Sequence, residues 1–140
     1  MENIQNTKEV VVLAPISVAG GATATTTEVD TNGWDYATYL FISGVVGANG
    51  VATIKLQDGD VSGTLTDVTG GGLTALTSSD SGKISAAFVD LRYRKRYQNW
   101  VITNGATNAT LMAMIVILSR GAQVGKDITT RNLLQQIFVS

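Results

Sequence analysis

The sequence predicts an all-β protein, a jelly-roll-like β-sandwich of about eight strands with extended N- and C-terminal segments. Stretches rich in Val, Thr and Ile are separated by Gly, Asn and Asp roughly every 8–12 residues, a spacing typical of sandwiches and barrels. No window before residue 120 keeps the 3.6-residue apolar period of an amphipathic helix. The chain has 140 residues, 44% of them hydrophobic, which is enough for one domain with one core.

Three segments are expected along the chain: a flexible N-terminal segment over residues 1–8, a β-sandwich domain over 9–120 and a C-terminal arm over 121–140. The first eight residues are mostly polar. Glu9–Val18 is rich in Val and Ile and is predicted to form the first strand. Pro15 confines this strand to a sheet edge, because proline has no N–H to donate to a second neighbour.

An Ala- and Thr-rich strand should follow, and then a long strand over Tyr36–Val46. Side chains alternate between the two faces of a strand. Tyr39 and Phe41 should therefore share one face of the long strand, and Leu40 and Ile42 the other.

The Ala-Asn-Gly triplet at 48–50 is a strong signal for a hairpin turn between two β-rich runs. The run after it, Val51–Gln57, alternates between apolar and polar residues. Its apolar set, Ala52, Ile54 and Leu56, is expected to face the core.

Three further strands complete the predicted sandwich, with the last one the most apolar: Lys83–Leu91, Tyr97–Thr103 and Ala109–Leu118. In the first of these, Ile84, Ala86 and Phe88 are expected to point inward.

The sequence pattern changes after Arg120, where the alternation of apolar and polar residues stops. The last residues are compatible with a short amphipathic helix or with an extended arm. The arm either packs on its own domain or reaches a neighbouring subunit, as terminal apolar segments often do in oligomers. Its candidate interface residues are the four apolar side chains Leu133, Leu134, Ile137 and Phe138.

Composition excludes several kinds of chemistry. The chain has no Cys and no His, so disulfides, thiol nucleophiles, imidazole bases and His- or Cys-ligated metals are ruled out. No other catalytic motif is visible, and we expect a protein that is not an enzyme and uses no cofactor. The longest apolar run has eight residues, against about 20 for a membrane helix. No secretion signal is visible either, so neither secretion nor membrane insertion is expected.

Basic residues are concentrated in one stretch of the chain, DLRYRKRYQNW at residues 90–100. Arg92, Arg94 and Arg96 could form an arginine stripe that binds phosphates. The net charge of −1 argues against a nucleic-acid partner, since such proteins normally carry a basic excess. We favour a polar corner between two strands, with the guanidinium groups paired to acids of this chain or of another protein.

Other candidate sites have ordinary structural explanations. The Asp-Gly-Asp at 58–60 resembles part of a calcium loop, but the rest of the loop is missing, and a hairpin turn is expected instead. Trp34 and Trp100 are expected to be core or interface anchors.

Four motifs in this order resemble those of small virion structural proteins of tailed bacteriophages. The motifs are DTNGWDYA at 30–37, LQDGD at 56–60, DV at 67–68 and RKRY at 94–97. The resemblance covers roughly residues 10–120, and the last twenty residues depart from it. It implies a capsid cement or decoration protein that is made in the host cytoplasm and located on the capsid surface of the virion.

The resemblance also implies the partners. They are the major capsid protein and further copies of the chain, with a trimer favoured over a dimer. Arg92, Arg94, Arg96, Trp34 and the apolar residues of the arm are the candidate contacts. The alternatives are a carbohydrate- or receptor-binding β-sandwich module of a phage fibre or tail, with exposed aromatic side chains in a groove, and a head–tail structural protein.

Overall fold

The computed structural model describes residues 6–105, 107–120 and 133–140. This part of the chain contains two single 3₁₀ turns, Ser78–Asp80 and Leu91–Tyr93, and no α-helix. Its ten strands are β1 (Thr7–Val18), β2 (Thr23–Thr25), β3 (Val29–Asp30), β4 (Tyr36–Ser43), β5 (Val51–Val61), β6 (Thr64–Leu73), β7 (Ile84–Asp90), β8 (Tyr97–Asn104), β9 (Thr110–Ser119) and β10 (Gln135–Val139).

The predicted β-sandwich is confirmed. The first sheet has the order β1-β9-β4-β7-β10, and the second has the order β2-β8-β5-β6 with β3 also paired to β8. All pairs are antiparallel except β10 with β7. When β2 and β3 are counted as one strand and β10 is left out, the strands can be renumbered one to eight along the chain. In this numbering the first sheet has the order 1-8-3-6 and the second has the order 2-7-4-5, which is the strand order of a jelly roll.

The core lies between the two sheets and is centred on Tyr39 of the first and Trp100 of the second, both almost completely buried. Their rings meet edge to face, with centroids 5.5 Å apart. The Tyr39 hydroxyl donates a hydrogen bond of 2.9 Å to Oε1 of Gln98, which joins the sheets through polar atoms inside an apolar core. Burial raises the pKa of Tyr39, so the phenol stays neutral and keeps the proton that it donates.

The first strand lies at a sheet edge, as Pro15 requires. It pairs on one side only, with β9. The register shifts between Val11 and Leu13 and again between Leu13 and Ile16, so the ladder is irregular around the proline.

The residues predicted to face the core are partly wrong in two strands, β5 and β7. In β5, Ile54 and Leu56 are buried, but Ala52 is exposed, because a register shift between Val51 and Thr53 puts Val51 into the core instead.

In β7 the residues that face the core are shifted by one position from those predicted. The core contains Ala87 and Val89. Ile84 and Phe88 lie on the opposite face with Ala86, which neighbouring side chains bury there. Apolar residues occupy both faces of this strand, so alternation alone could not show which set points inward.

Two predicted hairpins take other forms. The turn at 48–50 is present, with positive φ angles at Asn49 and Gly50, but it joins β4 of the first sheet to β5 of the second. It therefore connects the layers instead of two paired strands. The Asp-Gly-Asp at 58–60 lies within β5, and the hairpin turn follows at Ser62 and Gly63.

The end of the chain is extended and packs on its own domain. Gln135–Val139 runs parallel to β7 and hydrogen-bonds its free edge, so the alternative of a helix is wrong for these residues. The side chain of Gln135 exchanges two hydrogen bonds with the backbone of Thr74, just after β6, and so connects the two layers. The rest of the predicted arm, residues 121–132, and residues 1–5 lie outside the described residues.

One buried amide connects the loops at the end of the sandwich where β1 and β8 finish. Nδ2 of Asn104 donates to the carbonyl oxygens of Val18 at 2.7 Å and Asn108 at 2.9 Å. Its Oδ1 accepts from the Thr110 hydroxyl at 3.0 Å and from the Gly105 N–H at 2.9 Å. A single side chain thus satisfies polar groups from three segments of the chain.

We expect Asn104→Ala to lower the free energy of unfolding by about 3 kcal/mol, because it leaves several buried polar groups without partners. Denaturant unfolding followed by tryptophan fluorescence measures the change. Asn99→Ala is the matched control: Asn99 lies on the same strand, half-buried, and its Oδ1 has no hydrogen-bond partner. A similar cost for the two variants would contradict this account of Asn104.

Candidate interaction surfaces

The basic stretch forms a corner between the two sheets, as predicted. The chain leaves β7 at Asp90, makes one 3₁₀ turn and enters β8 at Tyr97. Arg92 turns back onto Asp90, with Nε–Oδ1 and Nη2–Oδ2 distances of 2.9 Å and 2.6 Å. Its guanidinium also lies over the ring of Tyr36, 5.1 Å from the centroid.

The other two arginines of the corner are also paired within the chain. Arg96 makes a two-pronged contact with Asp30, at 2.8 Å and 2.7 Å. Arg94 lies 3.7 Å from a carboxylate oxygen of Asp58, whose side chain is mostly buried. Asp58 also accepts the backbone N–H of Lys95.

This pairing limits what the corner can do. The hydrogen bonds from Arg96, with a further one from the Asn32 N–H, lower the pKa of Asp30 to about 2. Arg92 likewise lowers the pKa of Asp90. Each of these arginines is therefore matched by an ionised carboxylate at neutral pH. The corner offers little of the uncompensated positive charge that gives phosphate binding its affinity.

The two tryptophans have different environments. Trp100 is completely buried, so it cannot line a binding groove. Trp34 is half-buried against the core and is covered by Arg120, whose guanidinium lies 5.1 Å from the ring centroid. Arg120 is held there by a hydrogen bond from Nε to the Gly33 carbonyl oxygen at 2.8 Å. Sequence reasoning did not identify this partner.

The apolar residues predicted for the arm separate in the structure. Leu134 and Ile137 pack against the core, and Leu133 is half-buried. Phe138 faces outward with 60% of its surface exposed, and its ring stacks on Phe88 at 5.2 Å. Phe138 is thus the member of this set best placed to contact another molecule.

Phe138 belongs to a wider feature, the outward side of the first sheet. Strand register places five apolar side chains there across three strands: Leu40 and Ile42 on β4, Ile115 and Ile117 on β9, and Phe138 on β10. We call this set the outer apolar face. The second sheet covers the opposite side of these strands, and no strand among the described residues lies over this one.

The outward side of the second sheet is different. It carries mainly polar side chains, including Thr53, Lys55 and Gln57 on β5 and Asp67 on β6. Lys55 and Gln57 both hydrogen-bond the Asp67 carboxylate. Antiparallel sheets usually show this pattern on the face toward water. The outer apolar face therefore departs from the pattern on one sheet only.

A signal for the outer apolar face was present in the sequence. Residues 111–118 form an eight-residue run with no polar residue, and a strand buried on both faces reads in this way. The prediction used the run to place a strand and to argue against a membrane helix, and did not infer that both faces of the strand are covered.

Two other kinds of site are absent from the described residues. Within residues 6–105, 107–120 and 133–140, no three carboxylates cluster closely enough to hold a metal ion. In the same ranges no helix is long and apolar enough to span a membrane.

No known protein family matches the chain, and no curated protein is significantly similar to it.

We expect Arg96→Ala to raise the pKa of Asp30 from about 2 toward 3.8. The lowered pKa means that the pair stabilises the fold above about pH 4, and that this contribution is lost as the pH falls toward 2. The variant should lack that pH-dependent contribution. Carboxyl-carbon chemical shifts followed by NMR through an acid titration measure both pKa values.

Arg92→Ala is the control for this titration. It should raise the pKa of Asp90, which Arg92 lowers, and leave that of Asp30 unchanged. An unchanged Asp30 in the Arg96 variant would show that the Arg96–Asp30 contact does not persist in solution.

Proposed function

We propose that the protein is a cement or decoration protein, which binds the outer surface of a tailed-phage capsid and stabilises contacts between major capsid proteins. The resemblance of its motifs to small virion proteins suggests this role. The observation that carries the proposal is the outer apolar face on a β-sandwich, a surface suited to contact with other protein chains, either further copies or the capsid protein. Exposed apolar areas of this kind occur where proteins contact proteins.

The rest of the surface is consistent with a protein that works by contact alone. The arginines of the corner are matched by carboxylates of the same chain. A repeating shell also presents many equivalent sites, so an oligomer that binds several of them gains affinity without strong single contacts. The proposed location is the capsid surface of the virion, after synthesis in the host cytoplasm.

The corner and the Trp34 region remain the candidate contacts with the major capsid protein. Arg92 is about half exposed, and Tyr93 beside it has 69% of its surface exposed. An exposed tyrosine next to a partly exposed arginine is a common composition for a protein interface. Trp34 is half-buried, with the Arg120 guanidinium over its ring.

The jelly roll itself does not decide between the candidate functions. Capsid proteins and lectins both use it, so fold alone carries no argument for either. A carbohydrate-binding module would need exposed aromatic rings in a groove. Trp100 is buried and Trp34 is covered by Arg120, so neither tryptophan is freely available to stack on a sugar. Tyr36, Phe88 and Phe138 line a groove, and they are the aromatic side chains that such a module could use. We therefore keep the carbohydrate-binding role as the second candidate.

We expect particles of the virus that encodes this chain to contain it in hundreds of copies, as one oligomer per repeating capsid position requires. Quantitative mass spectrometry of purified particles measures the number. Particles that lack the protein should lose their genome at a lower temperature, and the purified protein should restore their resistance when added back.

A count of only a few copies per particle would contradict a cement role and favour a fibre, tail or head–tail component. Binding of the isolated protein to glycans, with no effect on particle stability, would favour the carbohydrate-binding alternative.

A further inference from the structure

We infer that the outer apolar face is the surface through which copies of this chain associate with one another. It is the side of the first sheet that carries Leu40, Ile42, Ile115, Ile117 and Phe138. The inference concerns the isolated protein and does not require that it binds a capsid.

The register shows how continuous this surface is. Ile115 of β9 lies opposite Leu40 of β4, and Ala86 of β7 lies on the other side of Leu40. At the edge, Val11 of β1 is paired with Ile115 and is 60% exposed. This row thus crosses four strands with no polar side chain and ends at Gln136 of β10, which pairs with Ala86.

The rows on either side are mainly apolar. Ile117 lies beside Thr38, which is followed by Phe88 and Phe138. On the other side, Ala113 lies beside Ile42. Among the described residues, the interior of the face therefore carries no ionisable side chain.

The area of the face suits an interface between proteins. Five strands about 4.8 Å apart, each contributing about seven residues, give on the order of 500 Å². Two such surfaces pressed together bury roughly 1,000 Å², which is about the lower bound for a specific interface. A surface of this size is near the upper end of the apolar patches that soluble monomers expose, and such patches often mark a binding site.

The distribution of charge favours a copy of the chain as the occupant. A face without charges can meet itself in a symmetric contact, because no like charges are brought together. The ionisable groups lie at its border, with Glu9 at the β1 edge, Asp90 and Arg92 at one end and Lys83 at the other. An apolar centre with a polar rim is the usual anatomy of an interface.

The pattern of the strands agrees with this arrangement. The side of β4 toward the second sheet contains Tyr39 and Phe41, and the side away from it contains Leu40 and Ile42. Antiparallel strands with two apolar faces are expected where both faces are covered. Packing against the same sheet of another copy would cover the second face, as sheets do inside a sandwich.

The test compares the intact protein with Leu40→Glu by sedimentation velocity over a range of concentrations. We expect the unmodified protein to be an oligomer. Leu40→Glu should weaken association by at least roughly 100-fold, since it would bury an unpaired carboxylate at the centre of the contact. The number of copies follows from the same measurement.

Val101→Glu is the matched control. Val101 is half-buried on the outward side of β8, a central strand of the second sheet, as Leu40 is in the first. It lies opposite Lys55 and should leave association unchanged. Phe138→Glu is the second test variant, because a side chain that is 60% exposed can be replaced without loss of the fold. Circular dichroism checks that each variant is folded.

A cysteine probe identifies what covers the face. The chain has no cysteine, so Leu40→Cys and Val101→Cys each introduce a single thiol. We expect slow maleimide labelling at position 40 in the oligomer and fast labelling at position 101. Dilution to the monomer should make maleimide labelling fast at both positions.

Three results would overturn the inference. The first is a protein that stays monomeric at all concentrations. The second is a folded Leu40→Glu or Phe138→Glu variant that associates like the unmodified protein. The third is a monomer in which position 40 remains protected, which would mean that residues 121–132 of the same chain cover the face.

The outcome is separable from that of the capsid experiments. Sedimentation uses the isolated protein, so oligomers that fail to bind shells would contradict the proposed function and leave this inference standing. A monomer in which Leu40→Glu abolishes only shell binding would assign the face to the capsid protein instead of a copy.

Discussion

The constraint on which the structure depends is that the first sheet is apolar on both sides. One side is buried against the second sheet, where Tyr39 and Trp100 meet at the centre of the core. The other side has the same kind of residues but no second layer among the described residues. Burial of apolar surface is the main favourable term in folding and in association. The residues that build this sheet therefore also define where the protein should meet another molecule.

The charged residues are consistent with this view. The densest group of cations lies at the corner between β7 and β8, where the chain passes from one sheet to the other. Each of its three arginines has a carboxylate partner from the same chain. Exposed pairs of this kind add little stability. Their effect is to leave the corner nearly neutral, so that contact with other proteins is a better explanation of this surface than phosphate binding.

The order of the strands along the chain was largely predictable. Pro15 placed β1 at an edge, and the alternation in β8 and the apolar run in β9 marked two strands of the core. The errors have specific physical causes. A register shift in β5 moved Val51 inward and Ala52 outward, and β7 has apolar residues on both faces. The turn at 48–50 has the residues of a hairpin, but it connects the two layers. Each of these outcomes depends on contacts between distant segments, which a local pattern does not contain.

The sequence by itself determined the fold class, the absence of Cys and His chemistry, and the position of the basic corner, because these follow from composition and local periodicity. It did not determine which carboxylates meet the arginines, since Arg96 and Asp30 are 66 positions apart and only folding brings them together. The tertiary structure alone decided that Gln135–Val139 joins the first sheet, because backbone hydrogen bonds to the free edge of β7 depend little on side-chain identity. It also decided that the apolar residues of β4 and β9 form one continuous outward face, since a strand has two sides and only the position of the second sheet shows which one has no layer over it among the described residues.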